Sequence, residues 1–393
     1  MSGKIDIENL QRPGHSRSAP LKYYCTAKRG RRFARHAERA GGVLAFRAHL
    51  LGAASRFALS SMKTTLSLAP SAALRIFHFD DIDRYRSGAT ALQFELTPLV
   101  RKISARQFML TMPGCDMLVE SSFPRLTGGK LMPGRTVIGF SMTDEAAGLF
   151  NGIDLKVSTL VLGHGGAGYV AYENKPHCFA RVAFEPEIHD RGWPAADKGF
   201  AHFIMPRPAH DRLRCLVMEI MTLASHSPDD LQRPEVAQGA KESLLAAADE
   251  AFANSAFALG RRSSQAERFL GIIKSIDEII SANPASPIYS GELAGTLGVS
   301  VRTLHNAVLQ YRGMSLHRYL KLKRLWQVRQ RLLIGNISVK ACALAYGFWH
   351  LSDFSRSYRT LFGELPSQTL ALAHWTGPDA PRDGAGPASH WAR

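Results

Sequence analysis

The chain has 393 residues, 45% of them apolar and 21% charged, with a formal net charge of +16. That length suits two domains plus tails, the composition excludes a wholly disordered chain, and no apolar run is long enough to span a membrane. The charge is unevenly placed: residues 1–61 hold 12 Lys and Arg against 3 acids and residues 265–373 hold 13 against 6, while residues 62–264 balance at 22 against 22. A basic C-terminal region beside a neutral middle points to a polyanion partner for one part and a different partner for the other.

In chain order, residues 1–61 form an Arg-rich stretch, with Arg29, Arg31, Arg32, Arg35 and Arg39 in close succession and no apolar period. It reads as a disordered arm able to add phosphate contacts, or as sequence preceding a start at Met62, or as a transit segment. No leader-type apolar run follows Lys4 and Arg12. The five cysteines, Cys25, Cys115, Cys178, Cys215 and Cys342, are odd in number, scattered and free of C-x-x-C spacing. Both features fit a cytoplasmic protein with reduced thiols.

Residues 62–200 are predicted to be a β domain used for sensing or dimerisation. Short alternating runs, Gln107–Met112, Asp116–Glu120, Arg135–Met142, Leu155–Leu162 and Phe179–Phe184, are separated by Pro113-Gly114, Gly128-Gly129, Pro133-Gly134 and Asn151-Gly152. That spacing predicts an all-β sandwich or barrel. Gly163-His164-Gly165-Gly166-Ala167-Gly168 matches G-x-G-x-x-G in form, but the run after it, Tyr169-Val-Ala-Tyr, is of strand type. A dinucleotide site needs a helix there, so a tight β turn is expected. His164, His177, Cys178 and His189 lack the paired spacings of a zinc site. G-x-S-x-G, H-E-x-x-H and G-x-x-x-x-G-K-[ST] are all absent, so neither an enzyme nor a cofactor is expected.

After Pro208 the apolar period lengthens to that of helices, and residues 201–264 are predicted as a helical linker whose helix pair packs on the β domain or, as the less favoured alternative, forms a dimer contact. Residues 265–372 then carry a repeated grammar. A helix over Glu267–Ile280 places Phe269, Ile272, Ile273, Ile276 and Ile280 on one stripe. A second helix, Gly291 to Leu297, leads into Gly298-Val299-Ser300 and a third helix from Val301 to about Tyr311. Ala294 is small where helices cross, Gly298 accepts a left-handed backbone, Val299 plugs the core and Ser300 caps the next helix. The order recurs: Ser338 caps Val339–Tyr346, Gly347-Phe348 turns, and His350–Phe362 follows with Leu351, Phe354, Tyr358 and Leu361 inward. Between the two lies one helix, Leu316 to Leu333, with Arg318, Lys321, Lys323, Arg324, Arg329 and Arg331 expected outward. Two helix-turn-helix units held rigidly by one helix can enter successive major-groove segments, about 34 Å apart. Residues 373–393, rich in Pro, Gly and Ala, are expected to be a loose tail.

Residues 265–372 resemble the DNA-binding domain of AraC/XylS-type transcription regulators. The carriers are Leu293-Ala294, Gly298-Val299-Ser300, Thr303-Leu304, Gly313-Met314-Ser315, Tyr319-Leu320, Arg324-Leu325, Ser338-Val339, Ala343 and above all Gly347-Phe348, Phe354-Ser355-Arg356, Tyr358-Arg359, Phe362-Gly363 and Pro366-Ser367. Asn306, Val308 and Leu316 depart from the family pattern, which usually has Arg, an aromatic and Pro there. The middle of the chain resembles the ethanolamine-operon-regulator-like branch through Leu96-Thr97-Pro98-Leu99, Phe123-Pro124, Leu126-Thr127, Arg135-Thr136, Ile138-Gly139-Phe140 and Asp190-Arg191-Gly192-Trp193.

This resemblance implies an α+β chain of two domains: a cupin-like N-terminal β-barrel with linking helices, and an all-α C-terminal domain with two helix-turn-helix units. It implies an activator type of regulator with double-stranded promoter DNA as partner, and RNA polymerase, a small-molecule effector and a second copy of the chain as further ones. The alternative is a cupin-type enzyme or metal-binding barrel tethered to DNA. DNA contact is expected from Ser300, Arg302, Thr303, His305, Asn306 and Gln310 in the first unit and from His350, Ser352, Asp353, Ser355, Arg356 and Arg359 in the second. Arg302 and Arg356 suit guanine O6 and N7 and Asn306 suits adenine, while Ser300 and Ser338 suit phosphates.

Overall fold

The computed structural model describes residues 68–85, 94–145, 148–185, 191–194, 199–257, 264–282 and 289–373. The arm expected over residues 1–61, His189 and all but the first residue of the expected tail lie outside them.

Thirteen strands among the described residues form two antiparallel sheets. They are β1 (Leu74–Phe79), β2 (Glu95–Pro98), β3 (Ala105–Met112), β4 (Cys115–Ser121), β5 (Arg125–Lys130), β6 (Thr136–Ser141), β7 (Leu149–Phe150), β8 (Ile153–Asp154), β9 (Thr159–His164), β10 (Gly168–Glu173), β11 (Cys178–Phe184), β12 (Phe200–Ile204) and β13 (Ala256–Phe257). One sheet runs β1-β3-β4-β11-β6-β9-β12-β13 and the other β2-β5-β10-β7-β8. Neither sheet closes on itself, so of the sandwich or barrel that the turn spacing allowed the two open sheets fit the sandwich, and they replace the closed barrel that the resemblance implied. The chain passes from one sheet to the other at the glycine-rich turn between β9 and β10, where Gly166 has φ +80°. That turn leads into a strand, not a helix. The run expected over Leu155–Leu162 becomes strand only at Thr159, because the Lys156 amide donates to Thr159 Oγ1 at 2.8 Å and folds residues 156–159 into a turn.

Strict alternation along the strands assigns each residue to a layer. On β11, Ala180, Val182 and Phe184 face outward onto helices α1 (Arg207–His226) and α3 (Pro234–Ala253), which are joined by α2 (Pro228–Gln232). Leu213, Val217, Ile220, Met221 and Ala224 form the matching stripe of α1 and are fully buried. Phe179 and Arg181, on the opposite face of β11, turn toward the second sheet and line a cavity of about 120 Å³ between the sheets. The stretch expected as a helical linker, residues 201–264, is thus more than a connection. Its helix pair packs on the eight-stranded sheet, and its flanks supply most of β12 and all of β13 to that sheet.

The five-stranded sheet alternates in the same way. Arg125 and Thr127 on β5, with Tyr169, Ala171 and Glu173 on β10, line the cavity. Leu126 and Val170 face the other way and join a core with α4 (Ser264–Ala282), α6 (Val301–Arg312) and α7 (Leu316–Ile334). The layers therefore run helix pair, large sheet, cavity, small sheet, C-terminal helices. A buried side chain of this size contributes about 1.5–3 kcal/mol, which makes the α4 stripe of Phe269, Ile272, Ile273, Ile276 and Ile280 the main apolar support of that last layer.

Two arginines clamp the C-terminal helices to the β region. Arg312, at the end of α6, donates from Nη1 to the carbonyls of the register partners Thr127 and Ala171 at 2.7 and 2.9 Å, and from Nη2 to Asp277 at 2.7 Å. Arg329 forks onto Asp83 at 3.0 and 2.5 Å and also reaches Glu364 at 2.8 Å. Lys323 pairs with Asp277 at 2.9 Å. Of the basic side chains expected outward on α7, Lys323 and Arg329 therefore turn inward. The buried Asp277 on α4 and the half-buried Asp83 offset the cost of desolvating them.

Candidate nucleic-acid interface

The two turn units are built by the same local hydrogen bonds. The first runs from α5 (Ser290–Thr296) into α6 and the second from α8 (Val339–Ala345) into α9 (Leu351–Phe362), with α10 (Pro366–Ala373) closing the domain. At the end of α5, Gly298 N–H donates to Gly295 O at 3.2 Å and Val299 N–H to Ala294 O at 3.0 Å. At the end of α8, Gly347 donates to Leu344 O at 3.0 Å and Phe348 to Ala343 O at 2.9 Å. These are the paired bonds of a Schellman termination, which needs a left-handed residue one place before an apolar plug. Gly298 and Gly347 supply it at φ +62° and +75°.

A methyl group at position 298 would meet open space, so Gly298→Ala isolates the backbone strain. It is expected to destabilise the domain by ~1–2 kcal/mol. Urea unfolding of the two proteins measures this, and coincident curves would show that the turn does not need the left-handed residue.

Each recognition helix buries one stripe and presents a polar face. On α6 the inward residues are Leu304, Ala307, Val308 and Tyr311, and on α9 they are Phe354, Tyr358, Leu361 and Phe362. Val308 and Leu316, two of the three departures from the family pattern, are both core residues. Arg302, His305, Asn306 and Gln310 are exposed on α6, with Thr303 half-buried. His350, Ser352, Asp353, Arg356 and Arg359 are exposed at α9, with Ser355 half-buried. Each expected contact set thus shares the outward side of its own helix. Asp353 pairs with Arg356 at 3.6 Å across one turn, both largely exposed. So exposed a pair adds little stability but restricts where the guanidinium can point.

The helix ends differ between the units. Ser300 Oγ accepts from Thr303 N at 3.1 Å and caps α6. Ser338 Oγ accepts from Ala341 N at 3.2 Å, but it caps α8, the first helix of its unit. His350 stands at the cap position of α9 and makes no capping bond, which leaves the leading amides of α9 free for an anion.

One residue on this side carries no sequence signal. Trp349 is 65% exposed, the most exposed of the large apolar side chains among the described residues, and its Nε1 donates to Tyr289 Oη at 3.4 Å. Of the adjacent aromatics Phe348 and Trp349, only one can plug the turn, and the spacing does not say which. Elsewhere, His164 Nδ1 lies 3.0 Å from Thr136 Oγ1 and His177 Nδ1 3.0 Å from Ser122 Oγ. Among the described residues no group of three or more His, Cys, Asp or Glu is placed to hold a metal ion, and no helix is long and apolar enough to cross a membrane.

A sequence-family profile described as "Helix-turn-helix domain" matches residues 293–371. The XylDLEGF operon transcriptional activator 1 of Pseudomonas putida is 33% identical over 105 residues, covering 26% of this chain and 30% of that protein. The HTH-type transcriptional activator RhaS of Pectobacterium carotovorum subsp. carotovorum (strain PC1) is 34% identical over 84 residues, covering 21% and 30%. The match spans about 30% of the length of these curated relatives. A solved structure of a probable AraC family transcriptional regulator from Rhodopseudomonas palustris is 36% identical, covers 26% of this chain and 97% of its own, and superposes with a TM-score of 0.25. Residues 293–371 thus carry a helix-turn-helix domain similar to the C-terminal domains of AraC/XylS-type transcription regulators.

Proposed function

We propose that the protein is a sequence-specific DNA-binding transcription activator that lays α6 and α9 in successive major-groove segments of promoter DNA. The observation that carries this reading is the pair of identically bonded turns, each presenting a polar helix face from a basic domain. Arg302 and Arg356 are the base readers and Asn306 reads adenine. Thr303, His305, Gln310, Ser352, Asp353, Ser355 and Arg359 line the same faces, and Ser300, Ser338 and the open start of α9 hold phosphates. Two relatives named as transcriptional activators support the direction of control. RNA polymerase, a second copy of the chain and a cytoplasmic location belong to the same reading.

Removing one bidentate guanine contact costs about 1–3 kcal/mol. Arg356→Ala is therefore expected to weaken operator binding by about ten- to a hundred-fold. Footprinting on DNA upstream of the protein's own gene, at several salt concentrations, measures it. A wild-type protein that protects no sequence, or a variant that protects as well as wild type, would sink the assignment.

The β region is proposed as the cupin-like sensing domain, with the cavity between its sheets as the effector site. Thr127 and Ala171 support this: both line the cavity and both give their carbonyls to Arg312 at the end of the first recognition helix. A change in cavity occupancy thus has one strand thickness to cross before it reaches α6.

A further inference from the structure

Aromatic rings make up much of the cavity wall. Phe150 stacks on Tyr169 with centroids 5.6 Å apart, and Phe200 meets Phe150 edge-on at 5.1 Å. At about 120 Å³ the space is close to the ~150 Å³ of an apolar cavity known to admit benzene, so one ring is the natural size of occupant.

The polar end is charged but balanced. Arg125, on the cavity wall, bonds Glu120 at 2.7 Å and Glu173 at 3.0 Å, and Arg181 lies 3.5 Å from the other oxygen of Glu120. Two guanidinium groups thus face two carboxylates. His177 adds no charge at neutral pH, since burial pushes its pKa down. Tyr85 donates to Glu120 from behind as a neutral phenol. Lys156, the remaining charged residue of the lining, is exposed and already pairs with Asp154 at 3.4 Å, so an ion entering beside those four charges meets no unpaired counter-charge there to offset its desolvation.

What the cluster lacks is hydrogen bonds. Tyr169 Oη, Glu173 Oε2 and Arg181 Nε are buried without a hydrogen-bond partner, His177 Nδ1 standing 3.7 Å from Glu173 Oε2, and all three residues line the cavity. Tyr169 and Glu173 stand on one face of β10 and both turn into the cavity. A buried donor or acceptor left unpaired is costly, and a ligand able to pair it gains that cost back. A phenol and a guanidinium offer protons while a carboxylate oxygen needs one, so the matching group both accepts and donates.

Resting on the reading of the cavity as the effector site, we propose that its ligand is an uncharged, single-ring-sized apolar molecule. It carries one group that both donates and accepts a hydrogen bond, a hydroxyl or a carboxamide, held by Tyr169 and Glu173.

The test is calorimetric titration of the full chain with probes of one size: phenylmethanol and benzamide as neutral donor–acceptors, benzoate and benzylammonium as charged forms, and toluene as the apolar shape. The neutral polar probes are expected to bind about ten-fold tighter than the charged ones and than toluene. In Tyr169→Phe, whose ring is kept and whose melting temperature is checked in parallel, that margin over toluene should fall by several-fold while toluene itself binds unchanged. Benzoate or benzylammonium binding as tightly as benzamide overturns the ligand class, and so does a cavity that takes up none of the neutral probes. Footprinting of the same preparation separates the two levels. A persisting footprint confines a failure to the ligand, whereas no footprint from the wild type removes the regulator reading beneath it.

Discussion

Arg312→Met is expected to lower the stability of the docked chain by about 3–5 kcal/mol, because it removes one partner of a buried, hydrogen-bonded ion cluster. The guanidinium is the contact through which α6 holds two strand carbonyls and Asp277 at once. Without it, Thr127 O and Ala171 O lose the bonds it donates, and Asp277 keeps only Lys323 and the Tyr319 hydroxyl. Met matches the length of the stem, so packing loss is small and the effect reads the charge and its bonds. Chemical denaturation of the full chain should show an earlier midpoint and, as the clamp opens, two transitions in place of one. A single transition at the wild-type midpoint would show that the apolar contacts of Leu126 and Val170 and the Arg329–Asp83 pair carry the interface without Arg312.

The second large effect lies at the cavity. Arg125 is 1% exposed and is the common partner of Glu120, Glu173 and Tyr85, so Arg125→Met leaves the buried Glu120 with the neutral Tyr85 and Gln107 donors and, as its one remaining cation, Arg181 at 3.5 Å. A loss of about 3–5 kcal/mol is expected here too, with a pH signature that a mere packing defect would lack. Glu120 and Asp277 each have a folded pKa of about 2, against ordinary values of 4.5 and 3.8. Burial alone would raise both. Arg125, followed by Arg181, outweighs it at Glu120, and Lys323 with Arg312 outweighs it at Asp277. A folded pKa below the unfolded one means that the contribution is complete above about pH 4.5 and is lost as pH falls toward 2. In Arg125→Met the Glu120 carboxyl should protonate at higher pH, so the variant's deficit relative to wild type should shrink on acidification below pH 4.5. A deficit that stays constant down to pH 3 would argue against a charge origin.

These two arginines also mark where reading the sequence stops being sufficient. The turn units were legible because everything they need lies within six or seven residues: a small residue, a left-handed glycine, an apolar plug and a cap. The bonds at Gly298 and Gly347 and the cap at Ser300 close over that range. The inward stripes of α6 and α9 were legible for the same reason, since a period of 3.6 is a local property. Arg329, by contrast, sits among outward-facing basic residues on α7 and turns in only because Asp83 is there, 246 residues earlier. Arg312 meets Thr127 and Ala171 across 185 and 141 residues.

The β region divides in the same way. Alternation showed where most of the strands of the large sheet lie, but it is blind to which sheet a strand joins, and the turn residues, which suit a sandwich as well as a barrel, do not say whether the chain closes one sheet or passes between two. The cavity exists because Tyr169 and Glu173 on one sheet face Phe179 and Arg181 on the other, and no spacing in the chain encodes that meeting. By itself, then, the sequence determined that the chain ends in two DNA-type turn units with polar outer faces, because helices, caps and turns answer to near neighbours. Only the tertiary structure decided that those units are docked through Arg312 onto the wall of an aromatic cavity and through Arg329 onto the loop of Asp83, because burial and charge pairing answer to whatever distant segment arrives.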